Sequence, residues 1–152
     1  MKVLIIEDGY EYLELFQRFL PDIAWTRQGS GPEGLRWLQE HEVDAIFLDL
    51  CFDRIPTEDL LGDLESLTHR FNGDPVRARS HLQQQQGLFV LAALREAGCT
   101  LPVILAMKSD DEPARWRRLQ ARYAPLDPLP DLRRPNALRR RLQELVGQGR
   151  AR

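Results

Sequence analysis

The sequence predicts an α/β domain built on a parallel sheet. Three observations carry this. The run from Val43 to Leu50 is almost continuously apolar, has the length of a strand and carries the acid Asp49 at its carboxyl end; such runs fit a central parallel strand buried on both faces. A second short apolar run, residues 2–6, ends on Glu7 and Asp8. Between and after these runs the apolar spacing changes to that of amphipathic helices.

The elements follow in order. Residues 2–6 form the first strand. Residues 10–20 place Tyr12, Leu13, Leu15, Phe16, Phe19 and Leu20 at helical spacing and stop at Pro21. Residues 23–26 are a short second strand. The turn over 28–31 carries helix-start chemistry, and Pro32 suits a first helical turn. A second helix over 34–41 has Leu35, Trp37 and Leu38 as inner residues, and the 43–50 strand follows.

Beyond Asp49, residues 57–67 read as a helix with Thr57 as N-cap and Leu60, Leu61, Leu64 and Leu67 on one face. Residues 71–75 are a turn, and residues 76–86 a second short helix, so this stretch reads as a helical hairpin; a structureless connection of that length is unusual in a compact domain. Residues 87–98 form a helix closed by Gly98, residues 101–106 a strand, and residues 112–123 a helix with Pro113 in its first turn. Pro125, Pro128 and Pro130 make residues 124–130 a poor ladder partner, which predicts a short edge strand. The last helix covers 135–146, with Leu138, Leu142, Leu145 and Val146 inward. Residues 147–152 read as a flexible tail.

The acids give the chain its chemistry. Glu7, Asp8 and Asp49 end neighbouring strands at the carboxyl edge of the sheet, where α/β folds place their ligands. Three carboxylates gathered there repel one another unless a cation lies between them, and an all-oxygen donor set suits Mg²⁺. Taken alone, Asp49 could simply cap the next turn.

The segments Val3-Leu4-Ile5-Ile6-Glu7-Asp8, Phe47-Leu48-Asp49-Leu50 and Leu101-Pro102-Val103-Ile104-Leu105 resemble the response-regulator receiver domain, the phosphoacceptor module of two-component signalling. The resemblance covers the chain apart from one long insertion, residues 52–86, and makes 1–146 the receiver-like domain. It implies a flavodoxin-like five-stranded parallel sheet in the order 2-1-3-4-5 with helices on both faces. It also implies Asp49 as phosphoacceptor, Glu7, Asp8 and Asp49 as metal ligands, and the backbone carbonyl of Cys51 as the remaining protein ligand to Mg²⁺.

Two family positions depart from the pattern. Where receivers carry a Ser or Thr at the end of the fourth strand, this chain has Ala106 or Met107, depending on how the strand is aligned. Where they carry a lysine after the fifth strand, it has Asp127, an acid that would repel a phosphoryl group or strengthen a cation site. Lys108, one of two lysines in a chain otherwise supplied with arginine, and Ser109 are the candidate substitutes; their alternative is a solvated loop.

Three functions compete on this basis. A phosphorylated stand-alone receiver is favoured by the retained acids. A pseudo-receiver, working as an adaptor without productive phosphorylation, is favoured by the missing hydroxyl and lysine and by an insertion beside the acceptor, and it is the preferred reading. A metal-dependent hydrolase ranks last, since no base or nucleophile besides the acids is evident. The implied partners are proteins, including a sensor histidine kinase, and a homodimer. Removing residues 53–85 is expected to leave a folded sheet and abolish partner recognition.

Composition sets the remaining bounds. The 152 residues carry a net charge of −2, which argues against a nucleic-acid partner. No stretch is long or apolar enough to span a bilayer and no signal-peptide pattern opens the sequence, so a cytoplasmic protein with reduced thiols is expected. Cys51 reads as a small buried residue rather than a redox thiol. His69 and His81 fit no zinc spacing and read as surface residues. Arg133, Arg134, Arg139, Arg140 and Arg141 form a solvated, partner-facing surface. Tyr123 is either a switch aromatic or core.

Overall fold

The computed structural model describes residues 1–108 and 112–151. Its elements are β1 (Lys2–Ile6), α1 (Glu11–Phe19), β2 (Ala24–Gln28), α2 (Gly31–Glu40), β3 (Ala45–Leu48), a 3₁₀ turn (Thr57–Asp59), α3 (Leu64–Arg70), α4 (Pro75–Gln84), α5 (Gln86–Glu96), β4 (Val103–Leu105), α6 (Pro113–Tyr123), β5 (Leu126–Pro128) and α7 (Pro135–Arg150). The five strands are parallel and ordered β2-β1-β3-β4-β5, the flavodoxin-like order. β5 is the short edge strand that its prolines predict.

Strand alternation divides the core into two layers. Val3, Ile5, Phe47 and Ile104 face α1 and α7, where they meet Phe16, Leu20, Leu138, Leu142 and Leu145. Leu4, Ile6, Ile46, Leu48, Val103 and Leu105 face the other way, against Val90, Leu91 and Leu94 of α5 and Trp116 of α6, with Leu35 and Leu38 of α2 beside them. Every residue of β3 is buried, as a strand covered on both faces requires.

The hairpin differs from its expected form in two ways. The helix expected over 57–67 is broken: Thr57 opens only a 3₁₀ turn and does not cap it, Gly62 takes a φ of +114°, and Asp63 caps α3 by accepting from Ser66 N–H. A residue with positive φ cannot continue a right-handed helix, and glycine takes it without a Cβ penalty. The second difference concerns separability. Leu60, Leu67, Ala78 and Leu82 are buried in the same cluster as β3 and α5, and Phe52 is fully buried with its N–H bonded to Gln83 O at 2.8 Å. Gln86, fully buried, accepts from Leu61 N–H at 2.7 Å and donates to Leu61 O at 3.0 Å and Leu82 O at 3.2 Å. The insertion is therefore part of the core, because its leucines cover the apolar side of α5.

Further expectations change in detail. α7 runs through the segment read as a tail and ends on Arg150, whose guanidinium reaches Asp44 at 3.0 Å. His69 is exposed as expected, whereas the His81 ring is half-buried, 5.5 Å from the Phe71 ring and 6.3 Å from that of Phe89. Tyr123 packs against the α5–α6 layer. The arginine surface is partly neutralised: Arg133 pairs with Asp131, Arg139 with Asp22 and Arg141 with Asp127. Arg95 of α5 donates to four carbonyls, those of Cys99, Leu101 and Pro125 at 2.9 Å and of Tyr123 at 3.0 Å. It thereby fixes α5 to the entries of β4 and β5 and to the end of α6.

Candidate functional site

The register places the acids. Ile6 lies opposite Leu48, and Leu48 opposite Leu105, so Glu7, Asp8 and Asp49 all leave the carboxyl edge of adjacent strands. Asp49 remains in the ladder through its N–H to Ile6 O at 3.0 Å, and Ala106 N–H bonds Leu48 O at 2.8 Å on the other side.

The side chains, however, use their oxygens differently. Glu7 is buried and accepts from Tyr12 N–H at 3.2 Å with one oxygen and Leu13 N–H at 2.9 Å with the other. These are free donors of the first turn of α1, so Glu7 anchors a helix start, where a carboxylate also meets the positive end of the dipole. Burial pushes its pKa up, the two N–H bonds oppose this, and Asp49 and Glu11 add to it. Asp8 turns to the loop after β3, where its Oδ2 accepts from Asp53 N–H and Arg54 N–H, both at 3.0 Å. Asp49 is half-buried, with Oδ1 accepting from Leu50 N–H at 2.8 Å. Burial first, then the nearby charge of Asp8 and Glu11, push its carboxyl up to about 6, against the N–H groups of Leu50 and Cys51. Tyr12 stands in the same field: burial and then Asp49, Glu7 and Glu11 push its phenol up to about 12.

The three acids thus share one edge and one electrostatic field without converging as three ligands. Among the described residues, no group of three or more His, Cys, Asp or Glu side chains is placed to hold a metal ion. Glu7 has already committed both oxygens to α1. What remains is a donor set of hard oxygens from Asp8 and Asp49, with the Cys51 carbonyl beside them in sequence. Two carboxylates completed by water suffice for Mg²⁺, which keeps several waters and does not need an all-protein cage.

Other expected residues fall as follows. Cys51 is exposed, not buried, because Phe52 takes the inward position; partial desolvation of its sulfur and then Asp53, Asp49 and Asp8 push the thiol up, away from a reactive thiolate. Lys108 is exposed just past β4, and Ser109 lies outside the described residues. Met107 packs into the α5–α6 layer and Ala106 against the α1–α7 layer, so neither offers a hydroxyl. Asp127 does not strengthen a cation site. It lies opposite Ile104, is buried, and forms an ion pair with Arg141, which also bonds Glu144 at 2.9 Å. Strand alternation turns its side chain to the α7 layer, where Arg141 supplies the counter-charge.

The sequence reading missed three contributors. Arg54 pairs with Glu11 at 2.5 Å over the loop between β1 and α1. Arg27 donates to Gly9 O at 2.5 Å and Asp8 O at 3.3 Å and lies 3.9 Å from the centre of the Tyr10 ring, which fixes the same loop. Gly87 touches the backbone of Asp49 and Leu50. Only Gly87 left a trace in the sequence, as a glycine inside the first turn of an otherwise apolar helix.

No protein-family model matches the sequence, and no curated protein sequence matches it either. Solved structures do match it in fold. The receiver domain of Francisella response regulator 1452 is 18% identical, with a TM-score of 0.63 over 97% of this chain and 98% of that one. The signal receiver domain of an HD domain-containing protein from Pseudomonas fluorescens is 13% identical, with a TM-score of 0.64 over 99% and 98%. The response regulator protein TrrA from Thermotoga maritima, solved in complex with Mg²⁺ and BeF, is 16% identical, with a TM-score of 0.59 over 95% and 97%. At these identities the likeness is one of fold, and the fold is that of the receiver domain.

Proposed function

We propose that the chain is an atypical receiver acting in signal transduction through protein–protein contacts, with Asp49 as its candidate phosphoacceptor and with phosphoryl transfer no longer its working state. The observation that carries this reading is the fate of Asp127. The position that would supply a lysine cation instead holds a carboxylate neutralised by Arg141, and Ala106 and Met107 supply no hydroxyl. Transfer to a carboxylate depends on positioning and charge neutralisation, so losing both groups removes much of what lowers its barrier.

Asp8, Asp49 and the Cys51 carbonyl would hold Mg²⁺ in this reading. When bound there the ion would supply positive charge against incoming phosphoryl oxygens. Glu7 acts through α1, holding the β1–α1 loop in register with Asp49. No turnover is assigned. The partners are proteins, a sensor histidine kinase or a second copy of this chain among them, and the setting is cytoplasmic; no helix among the described residues is long and apolar enough to cross a membrane.

The test is intact mass after incubation with Mg²⁺ and a small phosphodonor such as an acyl phosphate. The expected result is no mass gain, with partner binding unchanged in Asp49→Asn. A phosphate-sized gain that disappears in Asp49→Asn would overturn the adaptor reading and restore a conventionally phosphorylated receiver using Lys108 and Ser109. Turnover of a phosphoester would point instead to a hydrolase.

A further inference from the structure

The acidic edge carries a cation of its own. The backbone of Arg54 is fixed by Asp8, whose Oδ2 accepts from both Asp53 N–H and Arg54 N–H at 3.0 Å. Its side chain then turns back across the β1–α1 loop to pair with Glu11 at 2.5 Å. The path is open because residue 9 is glycine: a Cβ there would overlap both Arg54 Nη1 and Glu11 Oε2. Asp8 and Asp53 add to the field that Glu11 sets around the guanidinium and hold its proton more firmly. A residue from the opening loop of the insertion thus brings positive charge to the rim of a cluster containing Glu7, Asp8, Glu11, Asp49 and Asp53.

We propose that Arg54 is a tethered counter-cation of this edge: parked on Glu11, it competes with a divalent cation for Asp8 and Asp49 and latches the β1–α1 loop to the start of the 52–86 insertion. The competition follows from the electrostatics. A guanidinium and a divalent ion drawn to the same edge repel one another, so each weakens the acids' hold on the other. Glu11 sets how far the guanidinium leans towards Asp8, and its removal releases Arg54 to compete directly. The inference rests on Asp8 and Asp49 forming the cation site proposed above.

The test is calorimetric titration of the full chain with Mg²⁺, in the native sequence and in Arg54→Met, Glu11→Gln and the double variant. Both side chains are largely exposed, at 57% and 62%, so the variants keep their fold. Arg54→Met is expected to bind Mg²⁺ several-fold more tightly, and Glu11→Gln several-fold more weakly. Adding Glu11→Gln to Arg54→Met is expected to change the affinity less than about twofold, because the residue that Glu11 restrains is gone. Equal weakening by Glu11→Gln in both backgrounds would reduce the effect to through-space charge and overturn the latch. Binding indifferent to Arg54 overturns the inference and leaves the cation site standing. No binding in any of the four proteins removes the cation site and the inference together.

Discussion

Gly87 lies against the backbone of Asp49: a Cβ on Gly87 would overlap the Asp49 carbonyl oxygen and stand 2.8 Å from Leu50 Cα. The Gly87 N–H also donates to Leu50 O at 2.9 Å. The helix that follows the insertion is thereby pressed onto the segment carrying the candidate phosphoacceptor.

Gly87→Ala should therefore destabilise the protein although it places a better helix former in a helix. Ala gains about 1 kcal/mol in propensity, while overpacking against fixed backbone costs ~1–3 kcal/mol or more. The expected result in urea denaturation is a net loss of up to about 2 kcal/mol. Backbone amide shifts at Asp49 and Leu50 should move with it. An unchanged or raised midpoint would mean that α5 shifts freely away from the site.

Asp49 should give stability an unusual pH dependence. Its carboxyl is pushed from the ordinary 3.8 up to about 6, so the folded state holds the proton more tightly than the unfolded one. Its contribution is full below about pH 4 and is lost as the pH rises through about 6, by up to about 3 kcal/mol. Asp22, Asp44 and Asp131, held below the usual carboxylate range by partner groups, act in the opposite sense at lower pH. Asp49→Asn should raise the melting temperature at pH 7, change it little at pH 4 and flatten the slope between. A variant less stable than the native chain at pH 7 would contradict this.

The insertion should prove inseparable. Deleting residues 53–85 strips Leu60, Leu67, Ala78 and Leu82 from the cluster shared with β3 and α5, and the shortened chain should lose its cooperative thermal transition. Gln86→Ala is the milder probe. It leaves Leu61 N–H and C=O without their partner, at a cost of about 2 kcal/mol, with faster hydrogen exchange at Leu61. A deletion variant that melts cooperatively would show the hairpin to be an appendage.

Arg95 should behave as a structural residue. It serves four carbonyls, and burial pulls its pKa down from the ordinary guanidinium value. Arg95→Met should cost roughly 3 kcal/mol, read as a lower urea midpoint. Arg95→Lys should recover only part of that, since one ammonium cannot reproduce the planar fork.

The strands and main helices were legible because their signals are local. The short apolar run of residues 2–6, the apolar run around Phe47 and the helical spacing of Leu138, Leu142 and Leu145 each depend on neighbours within a turn or two. The same patterns brought Glu7, Asp8 and Asp49 to one edge, and the prolines around Asp127 made β5 short. The break at Gly62 escaped because leucine spacing alone does not reveal a positive φ.

By itself, then, the sequence determined the parallel sheet, its buried strands and which acids stand at its carboxyl edge. Only the tertiary structure decided what each acid does there: Glu7 serves α1, Asp8 holds the backbone of Asp53 and Arg54, and Asp127 turns to Arg141. Periodicity sets the direction in which a side chain leaves the backbone. The choice of partner depends on groups as far away in sequence as the 46 residues separating Asp8 from Arg54, and those meet only once the chain has folded.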